Sequence, residues 1–350
     1  MKKLAVIGYG GMGSWHCASI KAQIPELVVK GVFDIRPERV EAAKQDGYYV
    51  YDSVEAVLAD PEIDMVTIAT PNDSHKPIAI AAMKAGKHVI TEKPATMCAA
   101  DYEEMMAIAK ECGVLLTTHQ NRRWDTDFNI IKRIYEEKPI GDIYMLESRV
   151  QGSRQVLHGW RGAKINGGGM VYDWGVHLID QVMWMIKSPV ISVNADLFYI
   201  FTDEVDDNFK ATLRFENGIS FLVEVSMNCF ILHPRWHVSA NEGTAIISDW
   251  ECNGKMVALN SDSQMAWEEK IVYTAAGPTR SMAPRPIETT KEMPLPQVDM
   301  HWSDYYRNVM DAIDGKAELI VKPEQVLRVL KVMDAIFESG RTHKSVSCNI

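Results

Sequence analysis

The chain is predicted to be α/β, with an N-terminal doubly wound parallel sheet followed by an α+β portion built on a largely antiparallel sheet. Three observations predict this. Over the first 120 residues, short apolar runs alternate with helical patterns, as in parallel strands joined by crossover helices. A glycine-rich turn follows the first apolar run directly. From Val190 to Tyr273 the strand-like segments succeed one another with no helical pattern between them, which calls for antiparallel neighbours.

In the first part, Leu4–Ile7, Val28–Phe33, Met65–Ala69, His88–Ile90 and Leu115–Thr118 read as strands, and Pro37–Gln45, Lys76–Ala85 and Asp101–Glu111 as helices. Gly86 and Gly113 stand where left-handed helix ends are expected. After residue 121 the pattern changes. Thr126–Glu137 reads as helix, Ile143–Val150 as strand, Ser153–Gly169 as a loop rich in Gly, Arg and Trp, and Met170–Ile186 as one continuous helix. Residues 274–300 carry five prolines and read as an irregular excursion, before two final helices at His301–Ile313 and Pro323–Glu338. A chain of 350 residues exceeds the usual size of one core, so two domains are expected, 1–121 and 122–350, with the final helices able to pack back on the first.

Composition narrows the function. Hydrophobic residues at 47% and charged residues at 24% are ordinary globular values. With 37 Lys+Arg against 47 Asp+Glu the formal charge is −10, which repels nucleic-acid phosphates and anionic lipid. No apolar run approaches the roughly 20 residues that span a bilayer, and the apolar stretch after Lys2-Lys3 is too short for a secretion signal. Six scattered cysteines without a C-x-x-C pair fit a reducing compartment, so the cytoplasm is expected, with neither nucleic acid nor membrane as partner. His233 and His237 are spaced i, i+4, but Pro234 and the strand-like context spoil a helical metal pair, and no metal site is expected.

Gly8-Tyr9-Gly10-Gly11-Met12-Gly13 sits between a strand and a helical segment, the context in which G-x-G-x-x-G binds a dinucleotide on a Rossmann sheet. Gly8 permits the tight turn, Gly10 lets backbone approach the pyrophosphate, and Gly13 allows close helix–strand packing. Asp34 ends the second strand 21 residues after Gly13, placed to accept hydrogen bonds from the adenosine ribose. Its charge would repel a 2′-phosphate, so NAD is expected to bind more tightly than NADP. Arg36 leaves NADP open, as a phosphate partner or an adenine stack.

Glu92-Lys93-Pro94 follows the fourth crossover strand, at the carboxyl edge where ligands of open α/β sheets bind. Together with Ala69-Thr70-Pro71-Asn72-Asp73-Ser74-His75, Ala85-Gly86-Lys87-His88-Val89 and Gly167-Gly168-Gly169-Met170-Val171-Tyr172-Asp173-Trp174-Gly175-Val176-His177, it makes a sequence that resembles the glucose–fructose oxidoreductase/inositol dehydrogenase/rhizopine-catabolism (Gfo/Idh/MocA) family over nearly its whole length. The resemblance implies that Lys93, His177 and Asp173 are catalytic. It also implies that Thr70, Pro71, Asn72, His75, Glu92 and Lys93 join the glycine turn, Asp34 and Arg36 around the cofactor.

Elementary chemistry gives the first two the same roles. Oxidising a secondary alcohol needs a base near neutrality, which a histidine supplies, and a cation for the developing alkoxide, which a lysine supplies. Asp173, His177 and Asp180 recur at i, i+4 and i+7, so one helical face would present all three, and Asp173 would raise the pKa of His177 if they touch. Gln120-Asn121-Arg122-Arg123-Trp124-Asp125 is similar to a branch that includes scyllo-inositol dehydrogenases. It places Asn121 or Arg122 at the nicotinamide side and Arg123 or Trp124 at the substrate, unless the segment only pins the domains together. Trp160, Arg161 and Tyr172 complete the expected substrate contacts.

The resulting expectation is NAD-dependent oxidation of a ring hydroxyl, or reduction of the ketone, on a cyclitol, sugar or glycoside by a homodimer or homotetramer. Two rivals remain open. One is a glycosidase that uses NAD through transient C3 oxidation; the other is a non-enzymatic NAD-sensing regulator.

Overall fold

A computed structural model describes residues 1–260, 271–279 and 285–350. The first sheet has five parallel strands, β1 (Lys2–Ile7), β2 (Leu27–Phe33), β3 (Met65–Ile68), β4 (His88–Thr91) and β5 (Leu116–Thr118), in the order β2-β1-β3-β4-β5. The central runs Leu4–Ile7 and Met65–Ile68 are buried on both faces, as parallel strands covered by helices must be, whereas the edge strand β2 leaves Val28 exposed. The connecting helices are α1 (Gly11–Gln23), α2 (Pro37–Gln45), α3 (Val54–Ala59), α4 (His75–Lys84) and α5 (Ala99–Cys112). Pro37 is the first residue of α2, where its missing N–H costs nothing, and Gly113 closes α5 in the left-handed region at φ +67°. The chain winds outward in both directions from β1 and β3. The crevice at their carboxyl ends is therefore the topological switch point.

Beyond α6 (Thr126–Glu137) lie β6 (Ile143–Gln151), α7 (Val176–Met185), β7 (Val190–Phe198), β8 (Asn208–Phe215), β9 (Ser220–Ser226), β10 (Trp236–Ala240), β11 (Gly243–Ile247) and β12 (Gly254–Leu259). With β15 (Thr290–Met293) and β16 (Val346–Ser347) these strands form a nine-stranded sheet, β15-β12-β11-β10-β6-β9-β8-β7-β16, antiparallel throughout except for the parallel pair β6–β9. A small hairpin, β13 (Val272–Thr274) with β14 (Gly277–Thr279), stands apart from it. One face buries Phe209, Leu213, Phe221, Val223 and Val225, and the helices lie on that side.

α8 (Ser303–Ile313) and α9 (Pro323–Thr342) join the two sheets. Tyr306 of α8 reaches Thr67 on β3, Val321 accepts a hydrogen bond from Thr117 on β5, and α9 packs against α5 and β5 on one side and α7 and β7 on the other.

Two expectations require correction. Residues 274–300 are not wholly irregular, because Thr290–Met293 pairs with β12 as an edge strand; positions 280–284 of that segment lie outside the described residues. Met170–Ile186 is not one α-helix. Val171–Gly175 forms a single π turn, the wider winding that single inserted residues produce near functional sites, and α7 begins only at Val176. Among the described residues no helix is long and apolar enough to cross a membrane.

Candidate active site

A cleft of about 650 Å³ opens at the carboxyl edge of the parallel sheet, lined by Gly8, Gly10, Gly11, Met12, Asp34, Arg36, Thr70, Pro71, Asn72, Glu92, Lys93, Trp160 and Arg161 among others. The backbone there is shaped by glycine. Gly8 holds φ +98°, and a Cβ on it would come within 2.6 Å of the Ala69 carbonyl oxygen. Gly13 lies outside the lining. Its Cβ would meet the Gly8 carbonyl oxygen at 1.8 Å, so it serves the contact between α1 and β1 rather than a ligand. The N-terminus of α1 faces the cleft with no side-chain cap, leaving backbone N–H groups free for a pyrophosphate.

At the other end of the cleft, the Lys93 ammonium donates to the Asp173 carbonyl oxygen at 2.7 Å and to Asp173 Oδ1 at 3.1 Å. Asp173 lies inside the π turn, so both oxygens that hold the lysine belong to that turn. Asp173 Oδ2 accepts from Arg161 Nε at 3.1 Å. Burial works to raise the Asp173 carboxyl, but the Lys93 and Arg161 charges outweigh it and hold it below the usual carboxylate range. Lys93, Asp173 and Arg161 therefore form one charge cluster at the mouth of the second part of the chain.

His177 is 5% exposed. Burial, then the charges of Lys93 and Arg122, push its pKa well below 6.5, so the imidazole is neutral at physiological pH. The rise expected from contact with Asp173 does not arise, because no hydrogen bond joins the two among the described residues. The π turn sends the Asp173 carboxylate toward Lys93 and Arg161 instead of toward His177, and the His177 Nδ1 is buried with no protein partner. An orphaned polar atom of this kind is what a bound hydroxyl or water would satisfy.

The third acid of the expected face, Asp180, points elsewhere. It binds Arg123 through two hydrogen bonds of 2.7 Å, and Arg123 Nη1 also reaches the Ile320 carbonyl and Gln325 Oε1. Arg123 is 1% exposed and commits four of its five N–H donors to these partners, so it pins α7 to the segment entering α9. Leaving either charge alone there would cost about 3–5 kcal/mol. Two more expected contacts are also structural. Trp124 is buried edge-on against Tyr305, and the Tyr172 hydroxyl donates to the Met97 carbonyl, while Asn121 is half-buried beside Arg122. His75 is likewise fully buried. Its ring lies between the Pro94 and Thr70 carbonyls at 2.9 and 3.0 Å, tying together the loops after β3 and β4, and burial lowers its pKa. Asn72 lines the cleft and ties it shut at one side by donating to the Gly167 carbonyl at 2.8 Å.

Other residues reach the site without a local sequence signal. Glu92 Oε1 accepts from His16 Nε2 and His119 Nδ1, both at 2.8 Å, and His16 Nδ1 meets the Tyr306 hydroxyl at 2.8 Å. Burial would raise Glu92, but its two imidazole neighbours prevail and hold it well below the usual range. Burial keeps His16 neutral, so a single tautomer closes the chain: Nε2–H donates to Glu92 and Nδ1 accepts from Tyr306. These partners lie tens to hundreds of residues apart, which is why reading along the chain misses them. Trp174 stands edge-on to His177 at 5.9 Å, with the Arg122 guanidinium 4.2 Å over its ring and Trp250 beyond at 5.7 Å. Trp174 sits inside the motif that carries His177, and that position was the available clue.

Two family models cover most of the chain: an oxidoreductase family with an NAD-binding Rossmann fold over residues 2–120, and the Gfo/Idh/MocA C-terminal domain over 128–246. A solved NAD-binding protein from Listeria innocua is 45% identical, with 99% of each chain covered and a TM-score of 0.95. The scyllo-inositol 2-dehydrogenase (NADP(+)) of Bacillus subtilis is 27% identical over 98% of this chain and 95% of its own. The D-glucoside 3-dehydrogenase of Escherichia coli is 27% identical over 64% of this chain and 70% of its own. The chain is thus an NAD(P)-dependent oxidoreductase and belongs to the Gfo/Idh/MocA family.

Proposed function

We propose that the protein is a dehydrogenase that oxidises a ring secondary hydroxyl of a cyclitol, sugar or glycoside, or reduces the corresponding ketone. One observation carries this reading: a lysine ion-paired at the end of the dinucleotide cleft stands in the same charge field as a neutral, buried histidine whose Nδ1 lacks a partner. The residues divide the work. Neutral His177 takes the hydroxyl proton, and the Lys93 ammonium, steadied by two oxygens of Asp173, faces the oxygen as it becomes negative. The bound dinucleotide supplies the acceptor for the hydride that leaves the carbinol carbon. Arg161 shares Asp173 with Lys93, so the carboxylate is held in place before substrate arrives.

The surroundings suit a polyhydroxylated ring. Trp160 and Arg161 line the cleft with an aromatic ring and donors, and Trp174 stands beside His177 with the Arg122 guanidinium over its ring. The named activities of the inositol and glucoside dehydrogenase relatives lie in the same substrate class. The open face of the nine-stranded sheet, with Arg149, Glu224 and Lys210 joined in ion pairs, is the surface we assign to a homodimer or homotetramer, and the six free cysteines accord with work in the cytoplasm.

The test is a panel of cyclitols, free sugars and glycosides offered with NAD⁺ and NADP⁺, read as absorbance of reduced nicotinamide. Reduction by at least one ring polyol is expected. Cleavage of a glycoside with no net reduced cofactor would replace this reading with a glycosidase that oxidises transiently, and dinucleotide binding without any turnover would replace it with a sensor.

A further inference from the structure

The adenosine end of the cleft is built differently from what an acidic residue at the end of β2 implies. Asp34 Oδ2 accepts the Tyr9 N–H at 2.7 Å, while Oδ1 accepts the Arg36 N–H at 2.9 Å and Arg36 Nε at 3.4 Å. A carboxylate oxygen accepts along two lone-pair directions, so Oδ1 is filled and Oδ2 keeps one. Asp34 has capacity for one ribose hydroxyl rather than two, and its charge is already shared with Arg36.

Two guanidinium groups line the same end. Arg36 lies across the glycine turn, with Nη2 3.6 Å from where a Cβ on Gly10 would stand, and Arg39 lines the cleft three residues later. That spacing puts both on one face at the start of α2. Arg39 Nε is buried with no hydrogen-bond partner, and Arg39 makes no ion pair among the described residues. The neighbouring acid, Glu38, reaches Arg36 only at 3.9 Å and lies outside the cleft. The cleft wall here therefore holds two cations against one partly neutralised carboxylate.

We infer that Arg36 and Arg39 form a clamp for the 2′-phosphate of NADP(H), and that the protein prefers the phosphorylated dinucleotide. The inference rests on the dinucleotide cleft of the reading above and specifies its cofactor. Arg39 brings a guanidinium that lines the cleft without an ion-pair partner among the described residues, Arg36 brings a planar group next to the ribose side of the glycine turn, and a phosphate supplies acceptors for both. Asp34 acts as the brace that sets Arg36 at this angle.

Titration of the intact protein with 2′,5′-ADP against 5′-ADP, and with NADPH against NADH, tests this without turnover. The 2′-phosphate is expected to tighten binding by roughly 10-fold or more, as charge-assisted hydrogen bonds do. In Arg39→Ala the NADPH-to-NADH affinity ratio should fall by roughly 10–100-fold, and Arg39→Lys should restore part of it. Equal binding of the members of each pair, tighter NADH, or a ratio unmoved in Arg39→Ala would overturn the clamp while leaving the dehydrogenase reading intact. Failure of both NADH and NADPH to bind would overturn the two together.

Discussion

Lys93→Ala is expected to abolish measurable turnover, a loss of at least roughly 10²–10³ in kcat, while dinucleotide affinity changes little. The ammonium donates to the Asp173 carbonyl and carboxylate at 2.7 and 3.1 Å, and those contacts fix it in the cleft before the reaction begins. Its contribution grows as negative charge develops on the substrate oxygen, so the loss falls on kcat rather than on cofactor binding. Removing the side chain also leaves Asp173, a mostly buried carboxylate, with Arg161 as its remaining ion-pair partner. Fluorescence titration of the variant with reduced cofactor separates the two effects. Turnover within a few-fold of the parent would remove Lys93 from the chemistry.

His177→Ala is expected to lower alcohol oxidation by roughly 10²–10⁴ and to change the pH profile. The working form is the neutral imidazole. Because burial and the Lys93 and Arg122 charges hold its pKa well below 6.5, activity should be flat through neutrality and fall only well below pH 6.5, as His177 takes up a proton. A carboxylate partner would have moved that limb the other way. In the alanine variant the acidic limb should disappear; His177→Gln should keep substrate affinity without restoring the rate, because an amide hydrogen-bonds but does not take the proton. An unchanged limb in the alanine variant would assign proton transfer to another group and leave His177 as a substrate ligand.

The strands and crossover helices of the parallel sheet were legible because each is a local pattern: a short apolar run, a helical period, a glycine at a left-handed end. The exception, α3 over Val54–Ala59, is six residues long and buries only Val57, too short a signal for periodicity. The residues proposed to react stand in motifs that the sequence displays, but their surroundings were not legible. The π turn at Val171–Gly175 leaves no mark on composition, and the burial that lowers the His177 pKa, with the charges of Lys93 and Arg122 beside it, arises only when the chain has folded. Arg123 looked like a substrate ligand because a basic residue after the last strand should enter the cleft. Its partners, Asp180, Ile320 and Gln325, lie 57 to 202 positions away and become visible only when the chain has folded. Asp34 carried the same difficulty on a smaller scale. Its position was correct, but the direction of its lone pairs depends on Tyr9 and Arg36 backbone geometry that the sequence does not spell out.

A hydride is expected to pass from a substrate carbinol carbon to the nicotinamide in the cleft that Lys93 lines, with His177 in the same charge field. The most direct test of this transfer uses a polyol or sugar that the protein turns over, deuterated at the oxidised carbon, with mass spectrometry of the recovered cofactor and product. The prediction is one deuterium in the reduced nicotinamide for each ketone formed. Product without label in the reduced cofactor, or glycoside cleavage with the cofactor left oxidised, would contradict it.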